Sequence, residues 1–227
     1  DYSFLQCGEG ALTVHLGDGI DPAINRRVTA LQGAIDSAGL RGITDLIPAY
    51  ADLTVCYDCT VISAKALQRQ LRRLLDSLSV AGQDRRRVFR LPVCYGGDYG
   101  PDLDFVCRHS GLSAQEVIEL HSAPDYLIYM LGFLPGFAYL GGLDDRIKTP
   151  RLQNPRTKIH AGAVGIGGEQ TGIYPLSSPG GWRLIGTTPV KPYDPERDEP
   201  ILYSAGDYIR FVPIDKETFD DISAKVQ

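Results

Sequence analysis

The sequence predicts an α+β domain, a ferredoxin-like sandwich, over residues 1–86, followed by a mainly-β barrel domain over residues 87–227. The length of 227 residues suits one large domain or two modest ones. Strand and helix patterns alternate through the first third of the chain, which is typical of an α+β sandwich. From residue 126 onward, Gly and Pro separate short apolar runs, and this pattern indicates a closed or nearly closed barrel.

Four short segments of the first domain have the residue pattern of β-strands. Residues 2–6 and 11–16 are separated by a Gly-Glu-Gly turn, so we expect them to pair as a hairpin. Two further extended segments follow at residues 45–50 and 53–57. Together with the helices between and after them, these strands predict a sheet with a helical layer packed on it.

Two helices are predicted in this domain. Asp21 is a good N-cap, Pro22 occupies the first helical position, and Gly39 ends the first helix. Ser63 caps the second helix, which has a row of leucines along one face. These are Leu67, Leu71, Leu74, Leu75 and Leu78. Arginines alternate with these leucines. The arginines therefore predict a solvated helix face rather than a nucleic-acid site.

The second domain begins after a basic run. Residues 83–87 form the best candidate linker, and we place the domain boundary near Arg86. A strand over residues 88–95 and a short helix over residues 102–108 follow. The last helical pattern of the chain covers residues 216–225.

A further helix carries a complete capping signal. It begins at Ser113, with Glu116 completing a capping box, and it ends at His121. A histidine at the C-terminus of a helix complements the helix dipole, and we favour this structural role over catalysis.

The composition argues against several classes of function. The 23 basic and 28 acidic residues give a net charge of −5 without long single-sign blocks, so no nucleic-acid footprint is visible. No apolar run approaches the roughly 18 residues of a spanning helix, and the N-terminal residues lack a signal pattern. We therefore expect no membrane attachment and a cytoplasmic location. Five cysteines, an odd number, indicate reduced thiols, and the Cys56-x-x-Cys59 pair lacks the second pair of a zinc site.

The stretch from Tyr129 to Pro189 carries the strongest functional signal. Its 61 residues hold 12 of the 25 glycines, which a packed sheet favours only where the backbone turns sharply or approaches a ligand closely. Six cationic side chains stand against three acidic ones, so the stretch is locally +3. A carboxylate or phosphate ligand would suit it, and exposed loop charge is an equally good interpretation of each cation.

Candidate site residues in this stretch combine cations, polar groups and aromatic walls. The candidate substrate-binding residues are Arg151, Arg156, Gln170, Thr171, Tyr174, Phe137, Tyr139 and Trp182, with Phe133 as a further wall. His160 is the candidate general acid or base, although a lone histidine is more often structural. Ordinary barrel packing explains the aromatic residues equally well. Walker A and Rossmann signatures are absent, so ATP would need another binding mode or another chain.

Five blocks in the second domain carry a family resemblance. They are Val93-Cys-Tyr-Gly-Gly-Asp-Tyr-Gly-Pro-Asp-Leu, Gly132-Phe-Leu-Pro-Gly-Phe-Ala-Tyr-Leu-Gly-Gly-Leu, Ala161-Gly-Ala-Val-Gly-Ile-Gly-Gly-Glu-Gln-Thr-Gly-Ile-Tyr-Pro, Ser178-Pro-Gly-Gly-Trp-Arg-Leu-Ile-Gly and Ala205-Gly-Asp-Tyr-Ile-Arg-Phe. In order and spacing, the blocks resemble the carboxyltransferase-domain family, subdomains C and D. Where that family carries Pro-Ala-Gly-Ser, this chain has His160-Ala-Gly-Ala.

The resemblance implies both a fold and an activity. The implied fold is a cyclophilin-like barrel after a smaller α+β domain. The family includes the B-type subunit of 5-oxoprolinase, the allophanate hydrolase subunit 1 domain of urea-degrading enzymes, and Kip-type inhibitors of a sensor histidine kinase. The resemblance favours a subunit of an ATP-dependent 5-oxoprolinase, which opens 5-oxo-L-proline to L-glutamate with A-type and C-type subunits and is nearly inactive alone. The other two branches are the alternatives, since one scaffold hosts all three roles.

Overall fold

In this computed structural model, residues 2–78 and 87–226 are described, and the chain forms two compact units, Asp1–Arg85 and Arg86–Gln227. The predicted domain boundary near Arg86, with most of the candidate linker, falls on residues 79–86, which lie outside the described residues. Each unit has a hydrophobic core of its own.

The first unit is a four-stranded antiparallel sheet with two helices. Its elements are β1 Ser3–Cys7, β2 Ala11–His15, α1 Pro22–Ala38, β3 Ile43–Pro48, β4 Asp52–Tyr57 and α2 Ala64–Asp76. The strand order is β1-β2-β4-β3, and residues of both helices join one sheet face in the core. A ferredoxin-like fold has the element order βαββαβ, whereas this unit has ββαββα, so the ferredoxin-like prediction is not confirmed.

Local sequence signals set the helix ends of this unit. The Asp21 carboxylate accepts a hydrogen bond from the backbone N–H of Ala23 at 2.6 Å. Gly39 closes α1 in the left-handed conformation with φ 56°, where glycine has no steric cost. The Ser63 hydroxyl accepts from the backbone N–H of Ala66 at 3.3 Å. The predicted caps of both helices are confirmed.

The second unit contains nine strands, three α-helices and a short 3-10 helix, Asp145–Ile147, among the residues that the structure describes. They are β5 Val88–Tyr95, α3 Leu103–Ser110, α4 Ala114–Ser122, β6 Tyr126–Leu131, β7 Ala138–Gly141, β8 Arg156–Ile159, β9 Ala163–Gly167, β10 Gln170–Ile173, β11 Ser178–Gly180, β12 Arg183–Thr187, β13 Tyr208–Ile214 and α5 Lys216–Val226. Seven of the strands form one sheet in the order β10-β9-β12-β5-β13-β6-β7. The sheet is mixed, because β5 and β13 run parallel and the other pairs are antiparallel.

This sheet curls into a nearly closed barrel, as the sequence predicts. Its two edge strands, β10 and β7, contact each other along one side. The barrel interior is filled by buried side chains that include Tyr126, Ile128 and Phe211. The remaining two strands, β8 and β11, pair as a separate ribbon. This ribbon and the β9-β10 hairpin position most of the predicted site residues.

Other sequence expectations concern membranes, metals and thiols. Within residues 2–78 and 87–226, none of the helices combines the length and the apolar composition that crossing a membrane requires. The same part of the chain holds no group of three or more His, Cys, Asp or Glu side chains able to bind a metal ion. All five cysteines are free thiols.

His121, at the end of α4, is fully buried with 0% exposure. Its Nε2 lies 2.7 Å from the hydroxyl of Thr171, which donates its own proton to the carbonyl of Gly165 at 3.0 Å. Nε2 therefore carries the ring proton, and Nδ1 accepts from the hydroxyl of Tyr95 at 2.8 Å. Burial lowers the pKa of His121 from 6.5 to about 3. The predicted dipole role is wrong because the ring is uncharged at neutral pH, and it joins α4 to two strands by hydrogen bonds instead.

Acid should destabilise the fold through this histidine. Its folded-state pKa of about 3 lies below the unfolded value of 6.5, so between these values only the unfolded state binds the proton. Below pH 6.5, the contribution of His121 to the free energy of unfolding should fall by about 1.4 kcal/mol per pH unit. Urea denaturation between about pH 7.5 and about pH 4.5 measures the slope.

Two variants isolate this contribution. His121→Asn should remove most of the slope and cost about 1–3 kcal/mol at neutral pH, because buried hydrogen bonds are lost. His109→Asn, at an exposed position of α3, is the matched control and should keep the wild-type slope. An undiminished slope in His121→Asn would contradict the assignment.

Candidate functional site

The predicted aromatic walls meet at a cavity of about 290 Å³ in the second unit, here called the aromatic cavity. Its principal lining residues are five aromatic rings and a cation: Phe133, Phe137, Tyr139, Tyr174, Trp182 and Arg151. These side chains come from the loop before β7, from β7 itself, and from the segments that flank β8, β10 and β11. Residues distant in the sequence thus converge on one concave surface.

Phe137 is the hub of the aromatic wall. Its ring centroid lies 5.1 Å from that of Tyr139, 5.7 Å from Tyr174, 5.6 Å from Trp182 and 5.4 Å from Phe133, in each case edge to face. Edge-to-face pairs contribute about 0.5–1.5 kcal/mol each beyond the area they bury. The rings therefore fix one another's positions.

Trp182 lies on bare backbone provided by glycines of β9 and β10. Gly165 and Gly167 face the same side of β9, and Gly172 pairs with Gly165 across the hairpin. A Cβ at Gly167 would overlap the indole ring, and one at Gly172 would lie 3.2 Å from it. The sequence allowed for a ligand that approaches the glycine backbone closely. At these positions the group that approaches the backbone is the Trp182 indole ring. The glycines at these three positions are thus explained by internal packing.

Tyr174 occupies a site that glycine also makes possible. A Cβ at Gly180 would lie 2.5 Å from the Tyr174 hydroxyl, so no larger residue fits there without displacing the ring. Burial raises the pKa of Tyr174, and a hydrogen bond with the backbone of Trp182 opposes that effect in part. The phenol keeps its proton at neutral pH and is available as a neutral hydrogen-bonding group.

Several cations of this stretch are already paired. Arg146 lies 2.8 Å from Asp144, and Lys148 lies 2.8 Å from Asp145. These exposed ion pairs reduce the positive charge that the sequence count suggests. Among the residues that line the aromatic cavity, Arg151 alone is charged.

Arg151 lines the aromatic cavity and contacts another predicted residue, Gln170, which does not line it. The guanidinium carbon of Arg151 is 5.8 Å from the ring centroid of Trp182, within reach of a cation–π interaction. One Nη of Arg151 donates to the side-chain oxygen of Gln170 at 3.4 Å. A guanidinium has five N–H donors, so this contact leaves donors with which Arg151 can bind a carboxylate.

Arg156 and Thr171 do not line the aromatic cavity. Arg156 donates to the buried carboxylate of Asp102 at 2.9 Å and to the backbone carbonyl of Trp182 at 3.4 Å. The other oxygen of Asp102 accepts from the backbone N–H of Leu184 at 2.7 Å. This ion pair thereby supports the Trp182 wall from behind. Thr171 is buried and bonded to the α4 histidine.

His160 lies in a different cavity, of about 560 Å³, here called the His160 cavity, which Lys191 also lines. Its Nε2 is 3.0 Å from the hydroxyl of Thr187, which donates to the carbonyl of Tyr99 at 2.8 Å. Nε2 therefore carries the proton, and Nδ1 is the acceptor of the neutral ring. Desolvation lowers the pKa of His160, which keeps the ring neutral at pH 7. The two cavities share no lining residue, so His160 stands apart from the predicted substrate-binding residues.

Sequence reasoning missed groups that shape both cavities. Asp102 is expected only at the start of a short helix, yet its carboxylate holds both Arg156 and the β12 backbone. Tyr99 and Lys191 join His160 from remote positions in the chain. Asp102 and Tyr99 both fall in the family block that begins at Val93. That block was the available signal.

Comparison with known proteins identifies relatives over most of the chain. Residues 2–203 match the family model described as carboxyltransferase domain, subdomain C and D. A Bacillus subtilis protein, named as the B-type subunit of 5-oxoprolinase, is 39% identical over 96% of this chain and 95% of its own length. A protein of the same name from Escherichia coli O157:H7 is 43% identical over 91% of this chain and 93% of its own.

Solved structures give the same fold within longer chains. The protein TTHA0988 is 41% identical with a TM-score of 0.79 over 90% of this chain, which spans 40% of that longer chain. The Kluyveromyces lactis urea amidolyase has a TM-score of 0.81 over 99% of this chain and 15% of its own. Its identity of 21% supports likeness of fold alone.

Replacement of Gly167 should displace the indole ring that forms the cavity wall. A Cβ in Gly167→Ala would overlap Trp182, so the free energy of unfolding should fall by about 1–3 kcal/mol. Trp182 is the sole tryptophan of the chain, so its emission should shift as the ring leaves its buried position. The control is Gly181→Ala, whose Cβ would make ordinary contacts of 3.7 Å. Wild-type stability and emission in Gly167→Ala would refute the packing argument.

Proposed function

This chain belongs to the carboxyltransferase-domain family, subdomains C and D, and we propose that it works as the B-type subunit of a 5-oxoprolinase. The proposed reaction opens the ring of 5-oxo-L-proline to L-glutamate with hydrolysis of ATP. Two relatives named as 5-oxoprolinase subunits match over nearly their full length, which supports the assignment. We further propose that the barrel is cyclophilin-like and that the protein is cytoplasmic. C-type and A-type subunits complete the proposed enzyme, and the B-type subunit alone is nearly inactive.

The observation that carries the proposal is the aromatic cavity with its single cationic lining residue. The substrate 5-oxoproline is a compact ring that bears a carboxylate and an amide. Arg151 offers the guanidinium that pairs with such a carboxylate. Phe137 and Trp182 provide apolar surface for the ring. Gln170 does not line the cavity but accepts a hydrogen bond from Arg151, so it contributes by holding the guanidinium in place.

The volume of the aromatic cavity favours the small substrate over a nucleotide as its ligand. Its volume of about 290 Å³ is close to the lower limit of about 300 Å³ for ligand pockets. A small cyclic acid fits this volume better than ATP does. We therefore propose that ATP is held elsewhere, with or by a partner subunit.

His160 is proposed to transfer a proton in the assembled enzyme. The neutral ring has its Nε2 proton directed to Thr187, so Nδ1 is the atom that can accept a proton. This arrangement is that of a general base whose tautomer is fixed by a second group. Because His160 lies outside the aromatic cavity, proton transfer to or from bound 5-oxoproline requires the substrate or a partner group to bridge the two cavities in the assembled enzyme.

A urea-derived substrate is the weaker alternative. The yeast urea amidolyase shares the fold at low identity, and a carboxylated urea would also offer an anion to Arg151. Turnover of 5-oxoproline by the complex with its partner subunits separates the two possibilities, because an enzyme of the urea branch would leave the lactam ring closed.

Removal of the Arg151 charge should weaken substrate binding. In Arg151→Gln, the KM for 5-oxoproline of the reconstituted complex should rise about 10-fold to 100-fold, since a charge-assisted hydrogen bond contributes roughly 1.5–3 kcal/mol. Steady-state release of glutamate and ADP measures it. Lys158→Gln makes the same charge change at an exposed position of β8 and should leave KM unaltered. Equal effects of both variants would reduce the role of Arg151 to general electrostatics.

Loss of the His160 imidazole should affect the rate and spare binding. In His160→Gln, kcat should fall about 100-fold or more while the KM for 5-oxoproline stays within about twofold. The wild-type pH profile of kcat should rise through a pKa below 6.5, the direction in which desolvation moves this group. A raised KM with unchanged kcat would show that His160 binds substrate instead.

A further inference from the structure

Phe133 has an unusual backbone conformation for its residue type. Its φ is 66°, and among the described residues it is the one non-glycine position with positive φ. The backbone N–H of Leu134 donates to the carbonyl of Gly132 at 2.7 Å, which closes a hydrogen-bonded ring around Phe133. This is the pattern of the classic γ-turn, which is rare and strained. A bulky side chain therefore occupies a position that glycine would hold without strain.

The loop that carries Phe133 is fixed at both ends. The backbone N–H of Gly132 donates to the carbonyl of Phe137 at 3.2 Å, and the N–H of Phe137 donates to the carbonyl of Leu134 at 3.0 Å. The buried hydroxyl of Tyr203 donates to the carbonyl of Gly136 at 2.8 Å. These bonds hold the γ-turn in place, because relaxing the φ of Phe133 would break several of them. The strain is thus maintained by the surrounding structure.

The strained turn leaves the Phe133 ring at the rim of the aromatic cavity. The ring lines the cavity and meets Phe137 edge to face, yet the residue is 62% exposed. Removing the surface of an aromatic ring from water is favourable and lowers the free energy. A backbone that holds the ring half out of the wall keeps that surface available for a ligand.

We propose that Phe133 is the specificity-determining residue of the aromatic cavity, covering a ring-shaped carboxylate substrate from the solvent side while Arg151 binds its carboxylate. This inference rests on the proposed function and specifies its substrate class as compact cyclic acids. An open-chain acid has no flat face to place against Phe133. Ring opening would therefore release the contact, so that substrate is retained and product is not.

Two substitutions at position 133 separate the ring from the backbone strain. Phe133→Ala removes the ring and keeps a Cβ at positive φ, whereas Phe133→Gly removes both. We expect Phe133→Gly to unfold at a temperature about 2 °C or more above Phe133→Ala, because the strain is relieved. Both variants should raise the KM for 5-oxoproline of the reconstituted complex about 10-fold, with kcat changed less than about twofold.

The preference for the ring is measured by product inhibition. The ratio of the L-glutamate inhibition constant to the KM for 5-oxoproline should fall about 10-fold in both variants, because the open-chain product never used Phe133. Leu5→Ala, at a residue of the first unit that is 54% exposed, is the matched control and should leave the ratio unchanged. An unchanged ratio in both Phe133 variants would overturn the inference.

Two further outcomes would also count against it. If the variants fail to co-purify with the partner subunits while their assembled fraction keeps the wild-type KM, Phe133 is an interface residue and the specificity role is refuted. If the wild-type complex turns over no 5-oxoproline, the proposed function itself fails, and the inference fails with it. Turnover by wild type with unaltered constants in the variants refutes the inference alone.

Discussion

The contact between the Trp182 indole and the glycine backbone of β9 and β10 is the constraint on which the site depends. Gly165, Gly167 and Gly172 leave one face of the hairpin bare, and the indole occupies that space. With the indole fixed, Phe137 packs edge to face with it and orients the other rings. The wall is thus a small core of its own, distinct from the core inside the barrel. A rigid wall lowers the ordering cost of binding.

An ion pair between the buried Asp102 and the partly exposed Arg156 extends this rigidity behind the wall. Asp102 holds Arg156 with one carboxylate oxygen and the backbone of Leu184 with the other, while Arg156 also reaches the carbonyl of Trp182. Removing one partner of such a pair is costly, because the remaining charge is left without compensation. Arginines of the same stretch therefore have different tasks: Arg156 supports the wall, and Arg151 faces the cavity. His160 is separated from both by its place in another cavity.

Features set by neighbouring residues could be predicted from the sequence, whereas features set by residues far apart in the chain could not. The caps at Asp21 and Ser63 are local, and the residues alone predict them. The sequence predicts the hairpin of β1 and β2. The strand order of the first unit depends also on the pairing of β2 with β4, which no local pattern specifies. The aromatic walls were identifiable as a group, but the meaning of the glycines was not, since their partner Trp182 lies in another segment. Burial likewise reversed the expected charge state of His121.

The central claim is that the aromatic cavity holds the ring of 5-oxoproline. Trp182 is the sole tryptophan, so its indole N–H gives a single side-chain signal in a nitrogen–proton correlation spectrum. Titration of the isotope-labelled chain with 5-oxoproline, in complex with unlabelled partner subunits, follows that signal directly. We expect a saturable shift whose midpoint matches the KM, and a weaker response to L-glutamate. Turnover of 5-oxoproline with an unmoved Trp182 signal would contradict it.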